Sequence, residues 1–181
     1  GGYNVVVRYF DDSISGDDAR TDGDFDGAGR TIAGELLPAE VVAGGIRFET
    51  GPQAPGQANV LDCRGQTIEL PEGGHDRLYL LAAAGGGDRL VTLTGDGAPV
   101  TRIVPDWAEP VGQWNNRLVA GELQTDPARI APGYAKTVPV AWVGTHRHGA
   151  RGENEAYAFS FLYRIAIDLP PGARRVTLPD D

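Results

Sequence analysis

The chain has 181 residues, of which 41% are hydrophobic and 23% charged, a composition typical of a globular protein with its own core. A net charge of −9 disfavours nucleic acid and anionic membranes as partners, because both are bound through basic patches. The single cysteine, Cys63, excludes an internal disulfide, and no apolar stretch is long enough to span a bilayer.

Short apolar segments separated by Gly and Pro follow one another along the chain, each with the length of a β-strand. They span residues 3–10, 46–50, 66–70, 77–83, 89–95, 99–104, 138–143, 156–168 and 174–178. From Tyr157 to Ile167 the large apolar side chains occupy alternate positions, which predicts a long strand with one buried face. Segment 33–42 is interrupted by Pro38 and predicts no long helix. Many short strands at close spacing predict an all-β fold, an antiparallel β-sandwich of the jelly-roll kind.

An acidic, glycine-containing segment over residues 11–27 is the first candidate site. Hard carboxylate oxygens at close spacing are the ligands that Ca²⁺ prefers, and glycine permits the turns that bring them together. We expect a structural Ca²⁺ to be held by Asp17, Asp22, Asp24 and Asp26. The alternative is a solvated acidic loop, and the segment lacks the closing Glu of a helix–loop–helix calcium motif.

A candidate carbohydrate site follows at the sequence GQWNNR, where Trp114 precedes Asn115, Asn116 and Arg117. A sugar needs an apolar face on which to stack and several fixed donors and acceptors around it, and this stretch supplies both. The alternative places Trp114 in the core. Trp142 lies between apolar residues of a predicted strand, so we expect it to be a core residue.

The last candidate is the segment WVGTHRHGARGENEAY, residues 142–157. We expect THRH and NEAY to be the two ends of a loop that joins the strands 138–143 and 156–168. His146, His148 and Glu153 match the first half of the cupin metal motif, and two histidines at alternate positions of a strand could chelate Fe, Mn or Zn. A third downstream histidine is missing. Ordinary loop polarity, polar ligand contacts and a transition metal remain open for this segment.

Several long segments resemble a β-sandwich region of bacterial α-mannosidases of glycoside hydrolase family 38. The segments are GDFDGAGRTIAGELLP, LDCRGQTIELP, DRLYLLAAAG, VPDWAEPVGQWNNR and the stretch from VAWVGTHRHG to the C-terminal LPD. The first of them is also similar to galactose-binding-like accessory domains of other glycosidases. The resemblance runs from about Asp11 to the C-terminus.

The resemblance implies a non-catalytic accessory module, since the catalytic residues of that mannosidase family lie in a separate domain. It implies that His146, His148, Asn154 and Glu155 cluster at one end of the sandwich. There they would bind carbohydrate or contact the catalytic domain of the parent glycosidase. We therefore expect one soluble domain over residues 1–181, cytoplasmic or secreted and part of a larger glycosidase, without activity of its own. The alternatives are a cupin-like metalloenzyme built on His146, His148 and Glu153, or a purely structural interaction domain.

Overall fold

A computed structural model describes residues 5, 7–114, 118–119, 122–123, 126, 128 and 132–180. The described residues form β-strands, one 3₁₀ turn (Gly34–Leu36) and connecting segments, with no α-helix among them. In this part of the chain there is likewise no helix with the length and apolarity needed to cross a membrane. The strands are β1 (Ile14–Ser15), β2 (Thr31–Ala33), β3 (Glu40–Ala43), β4 (Ile46–Glu49), β5 (Thr67–Glu69), β6 (Arg77–Ala82), β7 (Arg89–Gly95), β8 (Val100–Val104), β9 (Gly112–Trp114), β10 (Leu118–Val119), β11 (Glu122–Leu123), β12 (Pro132–Ala135), β13 (Val140–His148), β14 (Asn154–Asp168) and β15 (Arg175–Thr177).

Two larger sheets account for most of the pairing. One has the strand order β1-β2-β13-β14-β6 and the other β5-β15-β7-β8, and three two-stranded ladders, β3–β4, β9–β12 and β10–β11, accompany them. Neighbouring strands are antiparallel except for the parallel pair β1 and β2. The all-β, antiparallel prediction is confirmed.

The two larger sheets share a hydrophobic core. One buried cluster joins Ile68 of β5, Leu78 of β6, Leu93 of β7, Ile167 of β14 and Val176 of β15. Side chains from both sheets therefore interdigitate in one layer, as in a β-sandwich.

A second cluster lies around Trp107, which is only 1% exposed. Ile14 of β1 and Ile32 of β2 belong to it, together with Leu162 of β14. Trp142 packs against this cluster while partly buried, in agreement with the expectation of a core tryptophan.

The β13–β14 hairpin differs from its prediction at the outer end. THRH and NEAY were expected in a loop, but β13 extends to His148 and β14 begins at Asn154. Arg147 pairs with Glu155 on one side and with Ile32 of β2 on the other. The expectation of a loop was wrong because strand pairing uses backbone groups, which polar side chains do not prevent when a neighbouring strand is present on each side.

Other strand predictions differ in extent. The segments from 46 to 104 and 174–178 are confirmed to within a residue or two of each end. In the segment 3–10, the described residues contain no strand. β2 and β3 were not predicted, because they are short and one of them, Thr31–Ala33, is buried on both faces and shows no alternation.

A candidate polar site at the outer end of the central hairpin

His146 and His148 lie on one face of β13, as their alternate spacing requires. His148 is opposite Thr31 of β2, so the imidazole of His148 lies beside the side chains that β2 and its neighbour β1 present to this face. The His148 side chain is completely buried, whereas 21% of the His146 side chain is exposed. The pair thus has one member inside the protein and one at its surface.

Glu35 lies between the two imidazoles. Its Oε1 is 2.7 Å from His146 Nε2 and 3.1 Å from His148 Nε2. The residue belongs to the 3₁₀ turn that directly follows β2. Trp142 Nε1 donates a hydrogen bond of 3.2 Å to the carbonyl of Leu36, which ties this turn to β13. The same strand therefore carries both histidines and helps to position the carboxylate.

Hydrogen bonds behind His148 hold its ring in place. Ser15 Oγ lies 2.7 Å from His148 Nδ1 and 3.1 Å from the carbonyl oxygen of Arg20, and it contacts the hydroxyl of Thr31. A serine hydroxyl has one hydrogen to donate and also accepts, so Ser15 Oγ accepts from Nδ1 in one tautomer of His148 and can donate to it in the other. The Nε2 atom of His148 faces Glu35.

The pKa of Glu35 is lowered from its usual value. Burial by itself raises this pKa, but hydrogen bonds from the Glu35 backbone N–H and from His146 and His148 stabilise the carboxylate more strongly. Because its pKa is lowered, Glu35 is an anion at neutral pH. The cluster therefore presents a carboxylate and two imidazoles at hydrogen-bonding distance.

A bulge in β14 opens a groove beside this cluster. His146 pairs with Ala156 and Gly144 with Ser160, so three residues of β14 lie opposite the one residue Thr145. Tyr157, inside this bulge, has φ of 61°, a left-handed conformation that is rare for a residue with a bulky side chain. Backbone strain of this kind persists only where the surroundings enforce it, and it is often found near functional sites.

The groove has a volume of about 450 Å³ and an open shape. Its lining combines aromatic and polar side chains from both strands of the hairpin: Thr145, His146, Asn154, Ala156, Tyr157 and Phe159. The side chain of Tyr157 is 90% exposed and that of Phe159 45% exposed. His146 belongs both to the groove and to the cluster with Glu35, so the two features are continuous.

The predicted carbohydrate residues are distributed unevenly over this site. His146 and Asn154 line the groove, whereas His148 is fully buried and is not one of the lining residues. Glu155 binds the guanidinium of Arg147 at 2.5 Å, and that guanidinium lies over the ring of Trp107. Glu155 therefore has a partner inside the hairpin.

The tryptophan-containing part of the predicted site is described only in its backbone. Trp114 is the last residue of β9 and pairs with Pro132 of β12. Asn115, Asn116 and Arg117 lie outside the described residues. A contribution of these four residues to carbohydrate binding stays a prediction.

The carboxylate beside the histidines is Glu35 and not Glu153. Glu153 Oε2 accepts a hydrogen bond of 3.0 Å from the backbone N–H of Arg151, within the turn of the hairpin. Glu35 and His146 are 111 residues apart, so no local motif could have joined them. A weak signal existed in the isolated acidic residue of the segment AGELLP, between apolar neighbours.

The four acidic residues of the predicted calcium site each have a partner within the chain. Asp17 pairs with Arg20, and Asp22 Oδ2 accepts from the backbone N–H of Gly56 at 2.6 Å. Asp24 Oδ1 accepts from three backbone N–H groups of its own loop, at 2.8–3.1 Å. Asp26 forms an ion pair with Arg30 at 2.6 Å. Calcium binding by these residues stays a prediction.

A family model described as the AziU2-like beta-sandwich domain matches residues 3–181. The match spans nearly the whole chain, and the chain therefore belongs to this family. No curated protein matches the chain. The family description identifies a β-sandwich domain and specifies neither a ligand nor a reaction, and it is not a match to the α-mannosidase region that the sequence resembles.

Proposed function

We propose that this member of the AziU2-like beta-sandwich family is a non-catalytic accessory module that binds a carbohydrate or a similar polyol in the groove beside His146. The observation that carries the proposal is the exposed ring of Tyr157, held by the β14 bulge next to polar side chains of the same groove. An aromatic face offers a surface on which the apolar side of a sugar ring stacks, and nearby polar groups bind its hydroxyls.

The polar lining suits a neutral ligand with many hydroxyl groups. Asn154 supplies an amide that both donates and accepts, and Thr145 supplies a hydroxyl. His146 presents a partly exposed imidazole whose Nε2 is already bonded to Glu35. The described residues that line the groove include no Arg or Lys, so none of them offers an anionic ligand a guanidinium or an ammonium group.

A direct test is calorimetric titration of the full chain with a panel of mono- and oligosaccharides. We expect at least one sugar to bind, and Tyr157→Ala to weaken its affinity about tenfold or more, which corresponds to about 1.4 kcal/mol. Phe10→Ala is the matched control, because Phe10 is also an exposed aromatic, at 53%, but does not line the groove. The proposal fails if no sugar binds, or if both variants bind as the unmodified chain does.

The association with a glycosidase, an α-mannosidase in particular, is the more specific part of this proposal. Its support is the sequence resemblance alone. On this basis the chain is expected not to hydrolyse an aryl mannoside by itself. Turnover that disappears when a residue of the chain is substituted would contradict an accessory role.

A further inference from the structure

We infer that Glu35, His146 and His148 form a binding site for a first-row transition-metal dication of the Zn²⁺ type. The ligand atoms of these three side chains all lie within 4.8 Å of one another. They come from two elements that the fold holds together, β13 and the 3₁₀ turn after β2. The inference does not depend on the proposed carbohydrate binding.

The first argument is the orientation of His148. Its two ring nitrogens have different neighbours: Nδ1 lies 2.7 Å from Ser15 Oγ, and Nε2 faces the Glu35 carboxylate, 3.1 Å away. When Nε2 coordinates a metal, Nδ1 carries the ring proton, and Ser15 Oγ is in position to accept it. A histidine that donates its other N–H to a fixed acceptor is the usual arrangement of a metal ligand.

The second argument is the geometry. Bonds of about 2.1 Å in a tetrahedral arrangement separate neighbouring ligand atoms by about 3.4 Å. In the structure, Glu35 Oε1 lies 2.7 Å from His146 Nε2 and 3.1 Å from His148 Nε2. The Glu35 side chain is 29% exposed, so it can withdraw by the shift that a metal requires, about 0.7 Å from His146 and about 0.3 Å from His148.

The ligand set selects the class of metal. Two imidazoles and one carboxylate suit Zn²⁺, Co²⁺, Fe²⁺ or Mn²⁺, whereas Ca²⁺ and Mg²⁺ prefer sites built from oxygen atoms. Three protein ligands leave at least one coordination position free. His146 also lines the groove, so a free position on that side would be accessible from the groove.

The experiment is a titration of the chelator-treated full chain with Co²⁺, followed by visible absorption, and then a competition with Zn²⁺. We expect binding of one Co²⁺ per chain with the absorption of a site of low coordination number, and displacement by Zn²⁺. Glu35→Gln and His146→Asn should each abolish this absorption. Both residues are partly exposed, so both variants are expected to fold, which circular dichroism and thermal unfolding will verify.

Ser15→Ala tests the positioning of His148 separately. Removing the acceptor of the Nδ1 proton should weaken Co²⁺ binding about 10- to 100-fold without removing a ligand. Glu153→Gln is the matched control, because Glu153 is close to the histidines in sequence but binds the backbone N–H of Arg151. The Co²⁺ affinity of this variant should equal that of the unmodified chain.

Two results would overturn the inference: no Co²⁺ bound at one equivalent, or equal affinity in the unmodified chain and in Glu35→Gln. In either case the three residues form a hydrogen-bonded cluster without metal. Sugar titration in the presence of chelator distinguishes a failure of this site from a failure of the proposed carbohydrate binding.

Discussion

The outer half of β14, residues 154–160, and its inner half, residues 161–168, lie in one strand but in different surroundings. The inner half contacts two strands in succession: residues 161–163 pair with β13, and residues 163–168 pair with β6. The outer half pairs with β13, and β6 does not reach it. The bulge at Tyr157 lies in the outer half, beyond the residues that β6 pairs with, and there the strand has β13 as its one paired neighbour within the described part of the chain.

The difference extends to the side chains. Phe161, Tyr163 and Ile165 form a buried cluster, and Tyr163 is fully buried. In the outer half, Tyr157 and Phe159 continue the same alternation but are exposed. The comparison teaches that an apolar, alternating segment can provide core at one end and a ligand surface at the other, depending on which strands flank it.

The largest loss of stability is expected from Ile165→Ala, in the inner half of β14. The Ile165 side chain is 3% exposed, and its truncation should leave a cavity that lowers the free energy of unfolding by about 2–5 kcal/mol. Phe159→Ala, at 45% exposed, should cost no more than about 1 kcal/mol although more atoms are removed. Urea unfolding of both variants measures the difference. Equal losses would mean that the outer half is packed as firmly as the inner half.

The second-largest loss of stability is expected from Ser15→Ala, which tests whether buried hydrogen bonds stabilise the outer end of the hairpin. It removes the hydrogen-bonding partner of His148 Nδ1, and leaving this buried nitrogen without a partner should lower the free energy of unfolding by about 1–3 kcal/mol. Ser160→Ala is the control, because Ser160 is fully buried and its Oγ has no hydrogen-bond partner within the described part of the chain. We expect this control to be neutral or stabilising. A reversed order in the unfolding measurements would argue against the hydrogen bonds assigned to Ser15.

A smaller and opposite effect is expected from Tyr157→Gly. Glycine adopts φ of 61° without steric cost, so the substitution should raise the free energy of unfolding by about 1 kcal/mol. Tyr157→Ala removes the same ring but retains the strain, so it should bring no such gain. Thermal unfolding of the two variants separates backbone strain from ring contacts. A glycine variant less stable than the alanine variant would show that the bulge is not strained.

The smallest effect concerns the pH dependence of an ion pair near the inner half. Burial raises the pKa of Asp88, but hydrogen bonds from Lys136 and from the backbone N–H of Asp106 outweigh it, and the pKa is lowered. Burial lowers the pKa of Lys136, but hydrogen bonds to Asp88 and Glu109 raise it above its usual value. The two groups are therefore both charged across the neutral range.

The sign of each contribution follows from these directions. The contribution of Asp88 is present above its unfolded pKa and is lost as the pH falls through the lowered folded pKa, below about pH 4. The contribution of Lys136 is present below its unfolded pKa and is lost as the pH rises through the raised folded pKa, above about pH 10. Asp88→Asn should thus be less stable than the unmodified chain at neutral pH, and the gap should narrow in acid. A stability difference between the two proteins that stays constant down to acid pH would contradict this assignment. Glu155→Gln, which breaks the ion pair with Arg147, is the corresponding variant in the outer half.

Sequence patterns alone predicted the all-β class and most strands from residue 46 onward, because alternation of apolar side chains reflects the pleat of a single strand. The same local rule puts His146 and His148 on one face if they lie in a strand, which was considered only for the cupin-like alternative; they were expected in a loop, and the structure has both in β13. The strand boundaries around them were wrong, since the ends of β13 and β14 depend on pairing with each other and with β2.

Tertiary structure decided the composition of the site. Glu35 contacts histidines 111 and 113 residues away in sequence only because β2 pairs with β13 and is followed directly by the 3₁₀ turn that carries Glu35. Ser15, which orients His148, arrives through the parallel pairing of β1 with β2. The exposure of Tyr157 depends on a bulge that the alternating sequence does not indicate. Periodicity along a strand specifies which face a side chain occupies, but contacts between distant segments specify what lies on that face.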